Sequence, residues 1–166
     1  AVTLASSSTS SNGNIDVRTV SGDLTVSSAV TADGSGDIIL NSAGALMVNN
    51  VLTSTSGDLS LTGATGVTHS AAGDLTTSGA GTITVASTAN DVTMVDGTVF
   101  TAGGGSVSVT GADEVLLGKI ANPLGTVSVT ATAGDISDET SAEGTANENI
   151  SGTTVTLSSA TGIGAS

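Results

Sequence analysis

The sequence predicts an all-β protein, a three-sided parallel β-helix (a solenoid) with no significant helix. The first observation is a recurring phrase in which a glycine, often followed by aspartate, precedes alternating aliphatic and small polar residues. Such alternation is the pattern of a strand with one buried face. The second observation is the spacing, since equivalent phrases recur about every 22 to 24 residues, which indicates three short strands per coil. Each coil is expected to bury its apolar face against the next one.

The phrases place the predicted strands in order along the chain. Those with aspartate are Gly22–Val26, Gly36–Leu40, Gly57–Leu61, Gly73–Thr77 and Gly134–Ser137. Those without it are Gly44–Val48, Gly81–Val85, Gly105–Val109 and Gly125–Val129, and Asn90–Met94 is a variant without glycine. We interpret each glycine as a corner, since a tight change of direction often needs a positive φ, which costs glycine least. The residues expected inside are Leu24, Val26, Ile38, Leu40, Leu46, Val48, Leu59, Leu61, Ile83, Val85, Val107, Val109, Val127, Val129, Val155 and Leu157.

Two stretches interrupt the rhythm. Asn122-Pro123-Leu124 is interpreted as a turn, because proline cannot donate to a strand ladder. Residues 131–149 hold many acids and few aliphatics after Ile136, so we expect a protruding, solvated acidic loop near residues 137–150. The whole chain, residues 1–166, is therefore interpreted as a single solenoid segment with one loop leaving a corner.

Composition excludes several classes of function. Lys and Arg total 2 against 15 Asp and Glu, a net charge of −13, so the chain cannot neutralise a run of phosphates and we expect no nucleic-acid partner. No apolar run is long enough for a membrane span. Cysteine is absent and aromatic content is 1%, from Phe100 alone. An acidic, cysteine-free chain rich in small polar residues fits an extracellular solenoid held by its strand ladders.

The stretches Thr126–Ser137 and Thr156–Gly164, with Asn122-Pro123-Leu124 ahead of them, resemble the repeat region of filamentous-haemagglutinin-like giant bacterial surface proteins. The resemblance implies a right-handed parallel β-helix, export to the bacterial cell surface, and a role in adhesion or in an extracellular filament. The host-cell or matrix ligand is not identified by it. Neither end of the sequence offers a proline, a lysine or a charged helix to block strand pairing, so we expect self-association through the β-helix ends.

The aspartates in and beside the repeated phrases can be interpreted in two ways, as calcium ligands or as hydrogen-bond acceptors. Asp33 and Asp37 resemble half of a calcium loop, and Asp138, Glu139 and Glu143 form a second weak calcium candidate. The later bidentate glutamate and the glycine-rich nonapeptide of calcium β-rolls are missing. The simpler interpretation is that Asp23, Asp37, Asp58, Asp74 and Asp135 accept backbone N–H bonds at corners. A calcium-binding module remains an alternative, and no other cofactor is expected.

Residues for catalysis are sparse. His69 is the only histidine, and its phase in Val67-Thr68-His69 predicts an incidental surface position. Arg18 and Lys119 lie far apart, and a sugar-cleaving groove needs paired carboxylates or a basic residue. We therefore expect no catalytic residues and no enzyme. A carbohydrate-binding β-helix is kept as an alternative, although no Tyr or Trp could stack on a sugar ring. An ice-binding array of Thr-x-Thr pairs is disfavoured, because coil lengths vary and serine often replaces threonine.

Overall fold

The computed structural model describes residues 1–140 and 148–164, and within them it is all β with no helix. The strands, in chain order, are β1 (Val2–Leu4), β2 (Ser7–Thr9), β3 (Ile15–Arg18), β4 (Leu24–Val26), β5 (Val30–Ala32), β6 (Ile38–Ser42), β7 (Leu46–Val48), β8 (Leu52–Ser54), β9 (Leu59–Gly63), β10 (Val67–His69), β11 (Leu75–Thr77), β12 (Ile83–Ser87), β13 (Val92–Met94), β14 (Val99–Ala102), β15 (Val107–Gly111), β16 (Val115–Leu117), β17 (Lys119–Ala131), β18 (Ile136–Asp138) and β19 (Ile150–Ser159).

The strands form three walls of a parallel solenoid of about six turns. The first wall is the seven-stranded sheet of β1, β4, β7, β10, β13, β16 and β18. The second wall contains β2, β5, β8, β11 and β14, and the third contains β3, β6, β9, β12 and β15. The long strands β17 and β19 run along both of these walls and join them in one hydrogen-bonded sheet. Bonds between equivalent corners span 21 to 25 residues, close to the spacing that the sequence predicts.

The interior is a set of aliphatic columns in which each side chain lies on its equivalent in the previous coil. On the third wall, one column pairs Ile38 with Leu59, Leu59 with Ile83 and Ile83 with Val107, all buried. The predicted interior is confirmed for every residue named above from Leu24 to Val129. It is wrong for Val155, which is 42% exposed, and Leu157 is only partly buried. Both lie on β19, the last strand along the third wall, where no further coil covers the interior in the described part of the chain.

The inward positions of the second wall are the ones that the sequence does not reveal. Val30, Leu52, Leu75, Phe100 and Ile120 are fully buried in one column. Three-residue strands here carry a single large apolar residue, followed inward by a small one such as Ala or Ser. Because alternation needs at least two apolar positions to be recognised, the sequence marks only β11 among these strands, through the phrase Gly73–Thr77.

The corner glycines are needed mainly for close approach rather than for positive φ. Gly36, Gly57, Gly81, Gly105 and Gly125 lie above one another at the entry to the third wall, and none of them has a positive φ. A Cβ added to any of them would come within 3.0 Å of the carbonyl oxygen of the glycine one coil earlier. The interpretation of these glycines as positive-φ corners is therefore wrong. Their backbones stack so closely that no side chain fits between them.

The two predicted interruptions differ from expectation. Asn122, Pro123 and Leu124 lie inside β17, where the pairing with β19 shifts register between Asn122 and Thr126. Proline is tolerated there because a bulge leaves a backbone position outside the ladder. The predicted acidic loop begins too early, since Ser137 and Asp138 belong to β18 and pair with β16. Residues 141–147 of that loop lie outside the described part of the chain.

Candidate functional site

We call the corner at which Gly36, Gly57, Gly81, Gly105 and Gly125 stack the glycine corner. Side-chain oxygens of Asn and Asp form a ladder of hydrogen-bond acceptors along it. Asn14 Oδ1 accepts the N–H of Asp37 at 2.8 Å, and Asp37 Oδ1 accepts the N–H of Asp58 at 2.9 Å. Asp58 Oδ1 then accepts both the N–H and the hydroxyl of Thr82, at 2.7 and 2.9 Å. Each acceptor therefore holds the strand of the next coil. The ladder uses the backbone donors that a corner would otherwise leave unpaired.

The other corners use aspartate in the same way. Asp23 accepts the N–H of Ala45, Asp74 that of Val99, and Asp91 that of Glu114. The interpretation of Asp23, Asp37, Asp58 and Asp74 as backbone acceptors is thus confirmed. At Asp135 it is the backbone carbonyl that accepts a bond, from the N–H of Val115. Sequence reasoning missed Asp91, whose phrase lacks the glycine that marks the others.

Buried polar side chains at the end of the second wall donate to glycine carbonyls at the same corner. Ser54 donates to Gly36 O at 2.8 Å, Thr77 to Gly81 O at 3.1 Å, and Asn122 to Gly105 O at 2.8 Å. These residues are 0%, 1% and 0% exposed. Asn122 Oδ1 is buried without a hydrogen-bond partner. The polar residues inside this solenoid are therefore structural, because each supplies a donor for a carbonyl inside the corner.

The corner between the first and second walls varies in length. Three residues connect Val26 to Val30, and three connect Val48 to Leu52. Counted between inward-facing residues, five separate His69 from Leu75, and five, residues 95–99, separate Met94 from Phe100, which is in register with Leu75; Val99 is already the first residue of β14. We call the two five-residue connections, 70–74 and 95–99, the widened corner. Thr98 joins them, because its hydroxyl donates to Ser70 O at 3.0 Å.

His69 fills the widened corner, so its predicted surface position is wrong. The side chain is 0% exposed and lies in the inward column between Val48 and Met94. Its Nδ1 is 2.7 Å from Gly73 O, and its ring meets Phe100 edge to face at a centroid distance of 4.8 Å. Burial lowers the pKa of His69 to about 4, and the hydrogen bond to Gly73 opposes this only in part. An imidazole enclosed in this way cannot contact a substrate.

A groove of about 170 Å³ lies where the widened corner meets the short connection 118–119 of the following coil. Asp96, Thr98, Lys119, Thr140 and Asn149 are among its lining residues. The step in corner length creates the groove, since two residues cannot cover the area that five occupy.

The structure shows the surroundings of four of the five calcium candidates. Asp33 is exposed in a turn, and Asp37 Oδ1 accepts a backbone N–H. Asp138 occupies the inward position above Leu117, where Thr140 and Asn149 donate to its Oδ1. Glu139 is half-buried beside it, and Glu143 lies outside the described residues. Within residues 1–140 and 148–164, no three His, Cys, Asp or Glu side chains form a group that could hold a metal ion.

The carboxyl-terminal end of the solenoid exposes apolar surface. A shallow cavity of about 160 Å³ there is lined by residues that include Ile136, Ile150, Leu157 and Ile163. Val155 and Ile163 are 42% and 55% exposed. Ile163 forms a parallel bridge with Ile136, so the chain has returned to the first wall after β19. The opposite end exposes Val2, at 45%.

Comparisons with protein-family models, with characterised proteins and with solved structures gave no match for this chain. In the residues that the structure describes, no helix has the length and apolar character needed to cross a membrane. The functional interpretation therefore depends on the geometry of the walls, corners and ends.

Proposed function

We propose that this chain is a structural rod segment of a secreted bacterial surface adhesin or extracellular filament, without enzymatic activity. The observation that carries the proposal is the unbroken parallel register of the first wall, from Val2 in β1 to Asp138 in β18. Each coil depends on its neighbours for burial, which is how a solenoid maintains a rigid, extended shape. A rod that separates a binding surface from a cell needs this property.

The outward surface is consistent with a rod. On the second wall, Thr31, Thr53, Thr76 and Thr101 follow one another in register, and the third wall carries Ser60, Thr84, Ser108 and Ser128. Small hydroxyl side chains keep a long β-surface hydrated without filling space around it. The net charge of −13 opposes nonspecific lateral association. The outward hydroxyl side chains and the negative charge both favour the solubility of an elongated molecule.

Association of copies end to end is the second part of the proposal. In the described part of the chain, β19 pairs with β17 alone, so its other edge presents backbone donors and acceptors. Val155 and Leu157 lie beside that edge and face the interior column. The first coil presents partly exposed apolar residues such as Val2 and Leu4 at the opposite end. Contact between these unlike ends is heterologous and generates filaments.

A matched pair of variants tests the association. Val155→Lys places a charge where the next coil would stack, and inward charges at an open edge block pairing. Thr156→Lys adds the same charge to the outer side of the same strand. We expect the unmodified chain and Thr156→Lys to form concentration-dependent assemblies in light scattering, and Val155→Lys to remain smaller. A strictly monomeric unmodified chain at high concentration, or equal assembly of both variants, would contradict end-to-end association.

Adhesion needs a separate test, since a filament need not bind cells. We expect purified protein to bind immobilised matrix protein or whole host cells in a saturable manner at physiological salt. The Val155→Lys variant is included in this assay. Because it is expected to assemble less, its binding reports on single rods, whereas binding of the unmodified chain also includes assemblies. Binding no stronger than that of a serum albumin control would contradict the proposed role in adhesion, but not the proposed role in a filament.

A further inference from the structure

His69 is the one fully buried titratable side chain in the described part of the chain, and only one of its two ring nitrogens has a hydrogen-bond partner. His69 Nδ1 lies 2.7 Å from Gly73 O, an oxygen that can only accept, so Nδ1 carries the proton. His69 Nε2 is buried without a hydrogen-bond partner. The neutral ring therefore suits the site, with one N–H satisfied and the other nitrogen against apolar atoms. Protonation would add a second N–H with nowhere to donate.

Among the described residues, no charged side chain faces the ring and compensates for its burial. The strands paired with β10 present Leu46 and Val48 from β7, and Val92 and Met94 from β13. Across the interior, β12 presents Ile83, Val85 and Ser87, and Phe100 comes from β14. The nearest acids along the chain lie in the connections: Asp74, Asp91 and Asp96. Asp74 and Asp91 accept backbone N–H bonds there, and Asp96 is exposed.

His69 is also bonded to both turns of the widened corner, to one through its ring and to the other through its backbone carbonyl. Gly73, its partner, belongs to connection 70–74, and the backbone carbonyl of His69 accepts the N–H of Val95 at 3.1 Å. Thr98 completes the link through its hydroxyl bond to Ser70 O. A change at the imidazole therefore acts on two consecutive coils at one corner, while distant coils keep their own ladders.

We propose that His69 makes the widened corner an acid-sensitive point of the solenoid, which opens on protonation while the coils farther away stay folded. Opening lets the imidazolium reach water and releases the connections 70–74 and 95–99. A rod with one such point would change its local shape or its resistance to proteases in an acidic compartment.

The direction and the pH range follow from where the proton binds. Burial lowers the pKa of His69 to about 4 in the closed coil, from an ordinary value of 6.5 that opening restores. Above pH 6.5 neither state binds the proton, so the closed corner keeps its full stability. As pH falls from 6.5 to about 4, the open state binds a proton and the closed state does not. Over that range the closing equilibrium weakens by a factor on the order of a hundred.

The imidazole titration is the direct test, and it needs no variant. As the only histidine in the sequence, His69 gives a single set of ring resonances. We expect long-range proton–nitrogen spectra to show a neutral ring protonated at Nδ1 that stays neutral at pH 5.5. A ring that titrates near pH 6.5 with the protein folded, or that carries its proton on Nε2, would overturn the proposal.

Hydrogen exchange then locates the opening. Protection of the Val95 amide, which donates to His69 O, should fall on the order of a hundredfold between pH 6.5 and 4, after correction for intrinsic exchange rates. Protection of the Ala45 amide, held by Asp23, should change little over the same range. His69→Met copies the adjacent Met94 and should abolish the pH dependence at Val95. Equal loss at both amides, or the same loss in His69→Met, would show that carboxylates rather than His69 cause the acid response.

Discussion

The glycine corner and the widened corner solve the same problem, a change of direction in every coil, in opposite ways. At the glycine corner, Gly36, Gly57, Gly81 and Gly105 stack backbone on backbone, and no side chain separates them. At the widened corner, the connections contain five residues instead of three, and large side chains fill the added space. The first corner requires the same residue in every coil. The second corner tolerates a longer connection when larger inward side chains fill the space that the added residues create.

That difference explains where the two unusual residues of this chain lie. Phe100, the only aromatic residue in the sequence, and His69 contact each other inside the widened corner. Elsewhere, apart from Met94, the large buried residues of the columns are Leu, Ile and Val, which suit narrower coils. In the following coil only two residues, 118–119, separate Leu117 from the inward Ile120, and a Cβ on Gly118 would lie 2.8 Å from Thr98 O. The widening is therefore local. His69 and Phe100 fill the added space, and Gly118 lets the next coil pack closely against Thr98.

The largest expected effect is at the widened corner. Phe100→Ala would leave a cavity beside His69 that the rigid walls cannot close, and should cost about 3–5 kcal/mol of unfolding free energy. Equilibrium urea unfolding followed by circular dichroism measures it.

Phe100→Leu is the matched control, since Leu75 precedes Phe100 in the same column. It should cost less than the alanine variant because it keeps most of the packed volume. If both variants lose the same free energy, ring size does not determine the fit at this corner.

The second effect is at the glycine corner. Gly81→Ala would bring a Cβ against the backbone carbonyls of Ser56 and Gly57, so the coils must separate locally. We expect a loss of about 1–3 kcal/mol, the usual range for added volume in a packed site. Thermal and urea unfolding of the variant measure it.

Gly104→Ala is the control for this change. An added Cβ there lies 3.9 Å from its nearest neighbour, Gly79 O, in a conformation open to any residue. It should change stability by less than about 0.5 kcal/mol. A Gly81→Ala variant as stable as Gly104→Ala would mean that the corner relaxes, and that repeated glycine is not required for stacking.

The sequence predicts the third wall and most of the first wall well, because five-residue strands such as β9 show two inward aliphatics and an intervening small polar residue. It predicts only β11 of the second wall, because the three-residue strands there carry one large apolar residue each. Periodicity cannot be read from a single position. The aspartate acceptors were predictable because the Gly-Asp phrase repeats with the coil.

His69 shows what the sequence could not provide. His69 faces inward like Val67, two residues earlier, and the alternation of the strand is consistent with that orientation. A histidine is nevertheless less often fully buried than an aliphatic residue, so the sequence favoured an exposed position. The stabilising partners are Gly73 O and the Phe100 ring, and the second of these lies one coil away. Only the register between coils brings them together, and register depends on connection lengths that vary at this corner.

The smallest effect separates the glycine backbone from the acceptor ladder that accompanies it. Asp58→Ala removes the acceptor of the Thr82 N–H and hydroxyl and should cost about 1 kcal/mol, the usual net value of such a bond. Asp58→Asn keeps a carbonyl oxygen in place, and Asn14 already performs this role two steps down the ladder by accepting from Asp37. The asparagine variant should therefore retain most of the stability in urea unfolding at neutral pH. If it loses as much as the alanine variant, the negative charge of Asp58, rather than its hydrogen bond, stabilises this corner.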